Sequence, residues 1–199
     1  MLISLLVPLV HAAPPTIVEA NLTTESFNPG INGHAEAPHF SADGKYISFE
    51  VNQLKDVRQL MIGSIEAGLL TETVAPKLGS VNAFSGSDQV HADSTWHPSG
   101  LVIFAGSEGK NDYRLFTVSP KGESPAALVP LKSAPGKLTF PVMAPNGQTM
   151  LFVSSATGKG DIYRYDDGVV KPLVTSPETE SYPTAKLTGG VVFTRRDPT

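Results

Sequence analysis

An all-β chain built from repeated four-stranded antiparallel units, a β-propeller, is what this sequence predicts, and three observations predict it. The first is a phrase that recurs four times, at Ala37-Pro38-His39-Phe40-Ser41-Ala42-Asp43-Gly44, Asp93 to Gly100, Phe140 to Gly147 and Tyr182 to Gly189. A unit repeated at intervals of roughly 40 to 55 residues marks a repeat architecture, and that length suits a propeller blade. The second is that each copy runs into an apolar stretch holding a phenylalanine at a matching place: Phe49, Phe104, Phe152 and Phe193. The third is the lack of amphipathic stretches long enough for helical repeats, in a chain with 18 glycines and 17 prolines among 199 residues. Such a composition belongs to short strands separated by many turns.

Each unit yields strands in order. In the first, Tyr46 to Val51 and Gln59 to Ile62 are apolar and β-branched, and Glu66-Ala67-Gly68 reads as a turn. Its extra length holds an enlarged loop from Gly79 to Asp88, a place where scaffolds tend to carry binding residues. In the second, Leu101 to Ala105 and Tyr113 to Val118 flank a polar stretch and lead to the turn Ser119-Pro120-Lys121-Gly122. The third is the most regular, with strands over Leu138 to Met143, Thr149 to Ser154, Asp161 to Tyr165 and Val169 to Val174. Asn146-Gly147 and Asp167-Gly168 stand where that pattern needs a reversal, and both pairs adopt positive φ readily. The fourth unit departs most, since Lys186-Leu187-Thr188-Gly189 lacks the aromatic and proline of the other turns. Tyr182-Pro183 and the strand pattern identify it, with its first two strands present.

Phe40-Ser41-Ala42-Asp43-Gly44-Lys45-Tyr46-Ile47-Ser48-Phe49 resembles the blade signature of TolB-like β-propellers, a WD40-like repeat in which an aromatic and a Pro-Asp-Gly-type turn lead into an apolar strand. Trp96-His97-Pro98-Ser99-Gly100 is a second match, and Asp161 to Tyr165 followed by Asp166-Asp167-Gly168 is similar to the family's third strand and turn. The resemblance covers roughly residues 16 to 199 and is specific for fold. It implies blades starting near residues 37, 93, 140 and 182, within a ring of about six or more, so these residues are expected to be a fragment of a longer propeller. The competing expectation closes the ring by pairing Thr16 to Ala20 with the last blade. The repeated aromatics Phe40, Phe49, Trp96, Phe104, Phe152, Tyr163 and Phe193 are expected to pack between blades, so removing Trp96 should cost about 3 to 5 kcal/mol.

The ends and the charge bound the setting. Leu2 to Val10 is apolar and runs into Val10-His11-Ala12, so residues 1–12 read as a secretory signal peptide and 13–199 as the propeller, although no Lys or Arg precedes the run. The run is about half the ~20 residues that a spanning helix needs, so no membrane span is expected and the protein is placed in the periplasm or outside the cell. The chain has no cysteine, which removes disulfides and thiolate chemistry. Its net charge is -4 and Arg195-Arg196 is a pair without a patch, so a nucleic-acid partner is not expected.

Candidate chemistry is sparse. There is no Gly-x-Ser-x-Gly elbow and no His-Glu-x-x-His pair, and Gly106 to Lys110 and Gly158-Lys159-Gly160 lack phosphate-loop spacing. Asp166-Asp167 is explained by its turn, and the Asn21-Leu22-Thr23 sequon bears only on a eukaryotic route. Asp88, His91, Asp93 and His97 gather metal-ligand residue types, but their spacing matches no closed metal motif; His39 and His97 suit turn entry instead. No catalytic residue, metal or cofactor is therefore assigned. Residues that differ between units at the entrance of the first strand are the candidates for a binding face: His34, Glu36, His91, Asp93, Lys137, Glu180 and Tyr182. The reading that results is a non-enzymatic scaffold binding a protein or peptide, and the resemblance implies an envelope setting with a lipoprotein among the possible partners. One alternative is the N-terminal propeller of a longer prolyl-oligopeptidase-type serine hydrolase. Another is a sugar-cleaving propeller using a carboxylate pair such as Glu36 and Asp93.

Overall fold

The computed structural model describes residues 34–53, 57–74, 90–107, 112–121, 127–129, 131, 134–186 and 189–197. The residues read from sequence as a signal peptide (1–12), as a ring-closing strand (16–20), as a sequon (21–23) and as an enlarged loop (79–88) lie outside the described ones. The described residues form strands and turns without a helix, in three four-stranded sheets and one two-stranded sheet, all antiparallel. The first sheet comprises β1 (His34–Phe40), β2 (Tyr46–Gln53), β3 (Val57–Glu66) and β4 (Leu69–Val74). The second comprises β5 (Val90–Trp96), β6 (Val102–Ser107), β7 (Tyr113–Val118) and β8 (Ala127–Leu128). The third comprises β9 (Leu138–Met143), β10 (Met150–Ser154), β11 (Asp161–Asp166) and β12 (Val169–Val174), and the last β13 (Thr179–Ala185) and β14 (Val191–Arg196). In every sheet strands pair in chain order, the meander of a propeller blade. Successive first strands β1, β5, β9 and β13 lie against one another, which makes them the inner strands.

The repeated turn has one geometry in all four copies. Gly44, Gly100, Gly147 and Gly189 take φ values of 70°, 85°, 68° and 84°. Each donates its N–H back to the carbonyl three residues earlier, on Ser41, His97, Ala144 and Lys186. Side chains complete the turns: Asp43 accepts from Lys45 N–H at 3.1 Å, His97 Nδ1 from Ser99 N–H at 3.1 Å, and Asn146 from Thr149 N–H at 3.0 Å. His97 is thus a turn-capping residue.

Glu66-Ala67-Gly68-Leu69 closes the β3–β4 hairpin with φ of 51° at Ala67 and 80° at Gly68, the two-residue turn that favours Asn-Gly. Alanine in that region carries a cost of about 1 kcal/mol. Ala67→Asn is therefore expected to raise the melting temperature by about 2 to 4 °C, read by calorimetry.

The core follows the two-residue period of strands. On β6, Val102 and Phe104 face the first blade and join Leu60, Ile62, Phe116 and Val118. Ile103 and Ala105 face the third and join Leu138, Met150, Phe152 and Tyr163. Phe104 and Phe152 are fully buried, as inter-blade packing requires. Three aromatics depart from that expectation, Phe193 among them, which is only partly buried with Arg195 over its ring at 5.3 Å. Phe40 is 55% exposed. Trp96 is half-buried, stacks on Tyr46 at 6.2 Å and donates its indole N–H to the His39 carbonyl at 2.9 Å. Trp96→Ala is accordingly expected to cost roughly 2 to 3 kcal/mol in a denaturant titration, below the core value because part of its surface stays in water.

Candidate functional site

The inner strands carry the most distinctive backbone feature of the chain. Ala37, Asp93, Phe140 and Tyr182, the first residue of each repeated phrase, adopt φ values of 48°, 53°, 49° and 51°. At each of them the pairing register slips, so that two residues of the inner strand oppose one of its neighbour. The opposed residues are Phe49, Phe104, Phe152 and Phe193, so the repeated phenylalanine and the bulge are two sides of one device. Three of the bulges continue with proline, Pro38, Pro141 and Pro183, which lacks the N–H that a regular ladder would demand there. Left-handed backbone at a residue other than glycine costs about 1 kcal/mol or more, and such strain collects where a structure aims side chains for a purpose.

Two carboxylates link the bulges. Glu50 on β2 is 3% exposed, and its Oε1 accepts the Asp93 N–H at 2.7 Å. The Asp93 carboxylate in turn accepts the Phe140 N–H at 3.3 Å. Each interaction joins one blade to the next. Arg58 on β3 approaches Glu50 Oε2 at 3.6 Å with 46% of its side chain exposed. Glu36 pairs directly across the strands with Glu50, placing like charges opposite each other. Beyond Phe140, its ring lies 4.4 Å from that of Tyr182, which is 63% exposed.

The electrostatics reflect negative charge gathered in a confined place. Burial, and then the nearby Glu50 carboxylate, push Asp93 up to about 6, against weaker opposing pulls from the Phe140 N–H and Arg58. Burial also raises Glu50, an effect that the Asp93 N–H and Arg58 oppose and Glu36 reinforces. Tyr113 on β7 is raised by burial and by the Asp93 charge.

Of the residues singled out from sequence, Glu36, Asp93 and Tyr182 occupy these bulged segments. His34 opens β1 and is exposed, and Lys137 is exposed just before β9, its N–H held by Ser155 Oγ at 3.0 Å. His91 pairs with Gly106 in β5, and its side chain lies outside the described part. Glu180 is placed elsewhere: it is fully buried, bound by Ser176 Oγ and by Arg195 Nε at 3.1 Å, so it braces the β13–β14 hairpin. Glu50, Phe140, Arg58 and Tyr113 are additions from the structure. Among the described residues no three His, Asp or Glu side chains gather to hold a metal ion.

No family model matches the sequence, and no curated protein matches it. Solved structures do share its fold. TolB from Acinetobacter baumannii is 18% identical with a TM-score of 0.58, over 82% of this chain and 38% of that one. A puromycin hydrolase is 16% identical with a TM-score of 0.61, over 83% of this chain and 25% of that one. The periplasmic gluconolactonase PpgL of Pseudomonas aeruginosa is 12% identical with a TM-score of 0.53, over 81% of this chain and 50% of that one. The chain thus spans half or less of each of these proteins. At such identities the likeness is one of architecture, and the architecture is that of a TolB-like β-propeller, all-β and built of four-stranded antiparallel blades.

Proposed function

We propose that this chain is a non-enzymatic propeller scaffold, secreted or periplasmic, that binds a protein or peptide segment on its inner face. The observation that supports this most is the contrast along the repeat. The turns keep one backbone geometry with a positive-φ glycine in each blade, and a phenylalanine stands opposite each bulge, whereas the bulges themselves put alanine, aspartate, phenylalanine and tyrosine at one structural place. A rigid frame that varies side chains at one inner position is built for recognition. The carboxylates there are engaged by backbone amides and by Arg58, an arrangement suited to shaping a surface. A protein partner at the envelope, a lipoprotein included, is the occupant this reading favours. Among the described residues no helix is long and apolar enough to cross a membrane.

The test is site-specific photocrosslinking in the native cells, with the reactive residue at Tyr182 or, as a control, at Thr71 on β4. A discrete protein adduct at Tyr182 and none at Thr71 is expected. Adducts at both positions, or at neither, refute the reading. Fractionation of the same cells tests the compartment, since a chain found in the cytosol with Met1 intact rules out export.

A second reading makes these residues the N-terminal propeller of a longer serine hydrolase. It is favoured by the fold shared with the puromycin hydrolase, of which this chain spans 25%. A species above 21.1 kDa that carries these residues and reacts with a fluorophosphonate probe would establish it.

A further inference from the structure

Phe140 and Tyr182 bring two rings together at 4.4 Å while Tyr182 keeps 63% of its surface in water. An aromatic pair left open in this way has a face free for a partner. Its surroundings set the partner's charge. The Asp93 carboxylate accepts the Phe140 N–H, Glu50 accepts the Asp93 N–H, and Glu36 pairs across from Glu50, so one carboxylate adjoins Phe140 and two more follow it in series on β2 and β1. Arg58 supplies one positive charge against them, half-exposed and directed at Glu50.

We propose that this inner site takes a cationic side chain, a lysine or arginine of the bound segment, laid over the Phe140–Tyr182 pair with its charge toward Asp93. This rests on the reading of the inner face as a peptide-binding surface and names the chemistry recognised there. The alkyl stem of such a residue covers apolar ring surface while its charge stays near the carboxylates and the negative ring faces. An anionic segment meets like charge in the same place, and a neutral apolar one leaves the excess carboxylate charge uncompensated. The chain's net charge of -4 steers encounter in the same direction.

Calorimetric titration of the purified chain with three hexapeptides of alternating residues tests this, with glycine alternating with lysine, norleucine or glutamate. Norleucine keeps the stem of lysine without its charge. The lysine peptide is expected to bind tightest, and Tyr182→Ala and Asp93→Asn are each expected to weaken it by about five- to tenfold. Asp93→Asn should leave the norleucine peptide unchanged. Lysine-peptide affinity is also expected to fall as pH drops through about 6, as Asp93 gains its proton amid Glu36, Glu50, Arg58 and Tyr113. Equal affinity for the lysine and norleucine peptides overturns the inference, as does absence of lysine-peptide binding or indifference of that binding to both variants. If crosslinks at Tyr182 persist in any of those cases, only the cationic preference falls; if they are absent too, the inner-face reading falls with it.

Discussion

Truncating Phe104 to alanine is expected to destabilise the chain by about 3 to 5 kcal/mol, the full cost of emptying an aromatic site in a core. Phe104 is fully buried at the centre of β6, a strand covered on both faces, and it stacks on Phe116 at 5.9 Å. Its ring fills the layer between the first two blades together with Leu60 and Ile62. Two hydrogen-bonded sheets bound that layer, so they cannot close over the space the ring leaves, and the cavity term adds to the lost transfer energy. Phe40→Ala is the matched control: at 55% exposure it should change stability by about 0.5 kcal/mol or less. Urea midpoints for both variants check the pair. Comparable losses would mean that the repeated aromatics do not sort into inner and outer roles as described.

The second large effect is a pH dependence centred on Asp93. Its folded pKa of about 6 stands above the ordinary 3.8, so the folded chain holds this proton more tightly than the unfolded chain. The stability this contributes is fully present below about pH 4, is lost as pH rises through about 6, and stays lost at neutral pH. A shift of that size corresponds to about 2 to 3 kcal/mol. Glu50, also raised, contributes with the same sign. Asp43, Asp166 and Glu178 are lowered by hydrogen bonds from Ser41, Thr149 and Ser176, so their contributions are lost in acid, at lower pH than the Asp93 transition. Asp93→Asn keeps an acceptor for the Phe140 N–H and tolerates the left-handed backbone, while removing the charge. It is expected to stabilise the chain by about 2 kcal/mol at pH 7.5 and to leave it nearly unchanged at pH 4. Denaturant curves for both proteins across that range decide the matter, and parallel pH profiles would rule out Asp93 as the source.

The architecture was legible because it rests on local rules. Gly147 after Asn146 and Gly168 after Asp167 mark reversals wherever they occur, and the β9 and β12 boundaries read from sequence match the structure residue for residue. The bulges were half legible. Asp93 and Tyr182 were among the varying residues read from sequence while Ala37 and Phe140 were not, and nothing local announces positive φ at a tyrosine or a phenylalanine. Glu50 was not legible, because a carboxylate inside an apolar strand is explained only by the amide that an adjacent blade offers it. Glu180 shows the converse: it varies at a strand entrance as a binding residue would, while its burial is set by Ser176 and Arg195 at other places in the chain.

The links between bulges also differ in kind along the chain. The first blade is tied to the second through Glu50, and the second to the third through Asp93, by amide-to-carboxylate bonds. At Phe140 that series ends, and the tie to the fourth passes to an aromatic pair. The three links therefore differ in their response to pH. Protonation acts on the carboxylates of the first two and meets none in the third, whereas a solvent that weakens apolar association acts on the aromatic pair and equally on the buried layers that join the first three blades. A single chain of near-identical units thus has joints of unlike pH response, with buried charge weighing on the first two links and absent from the third.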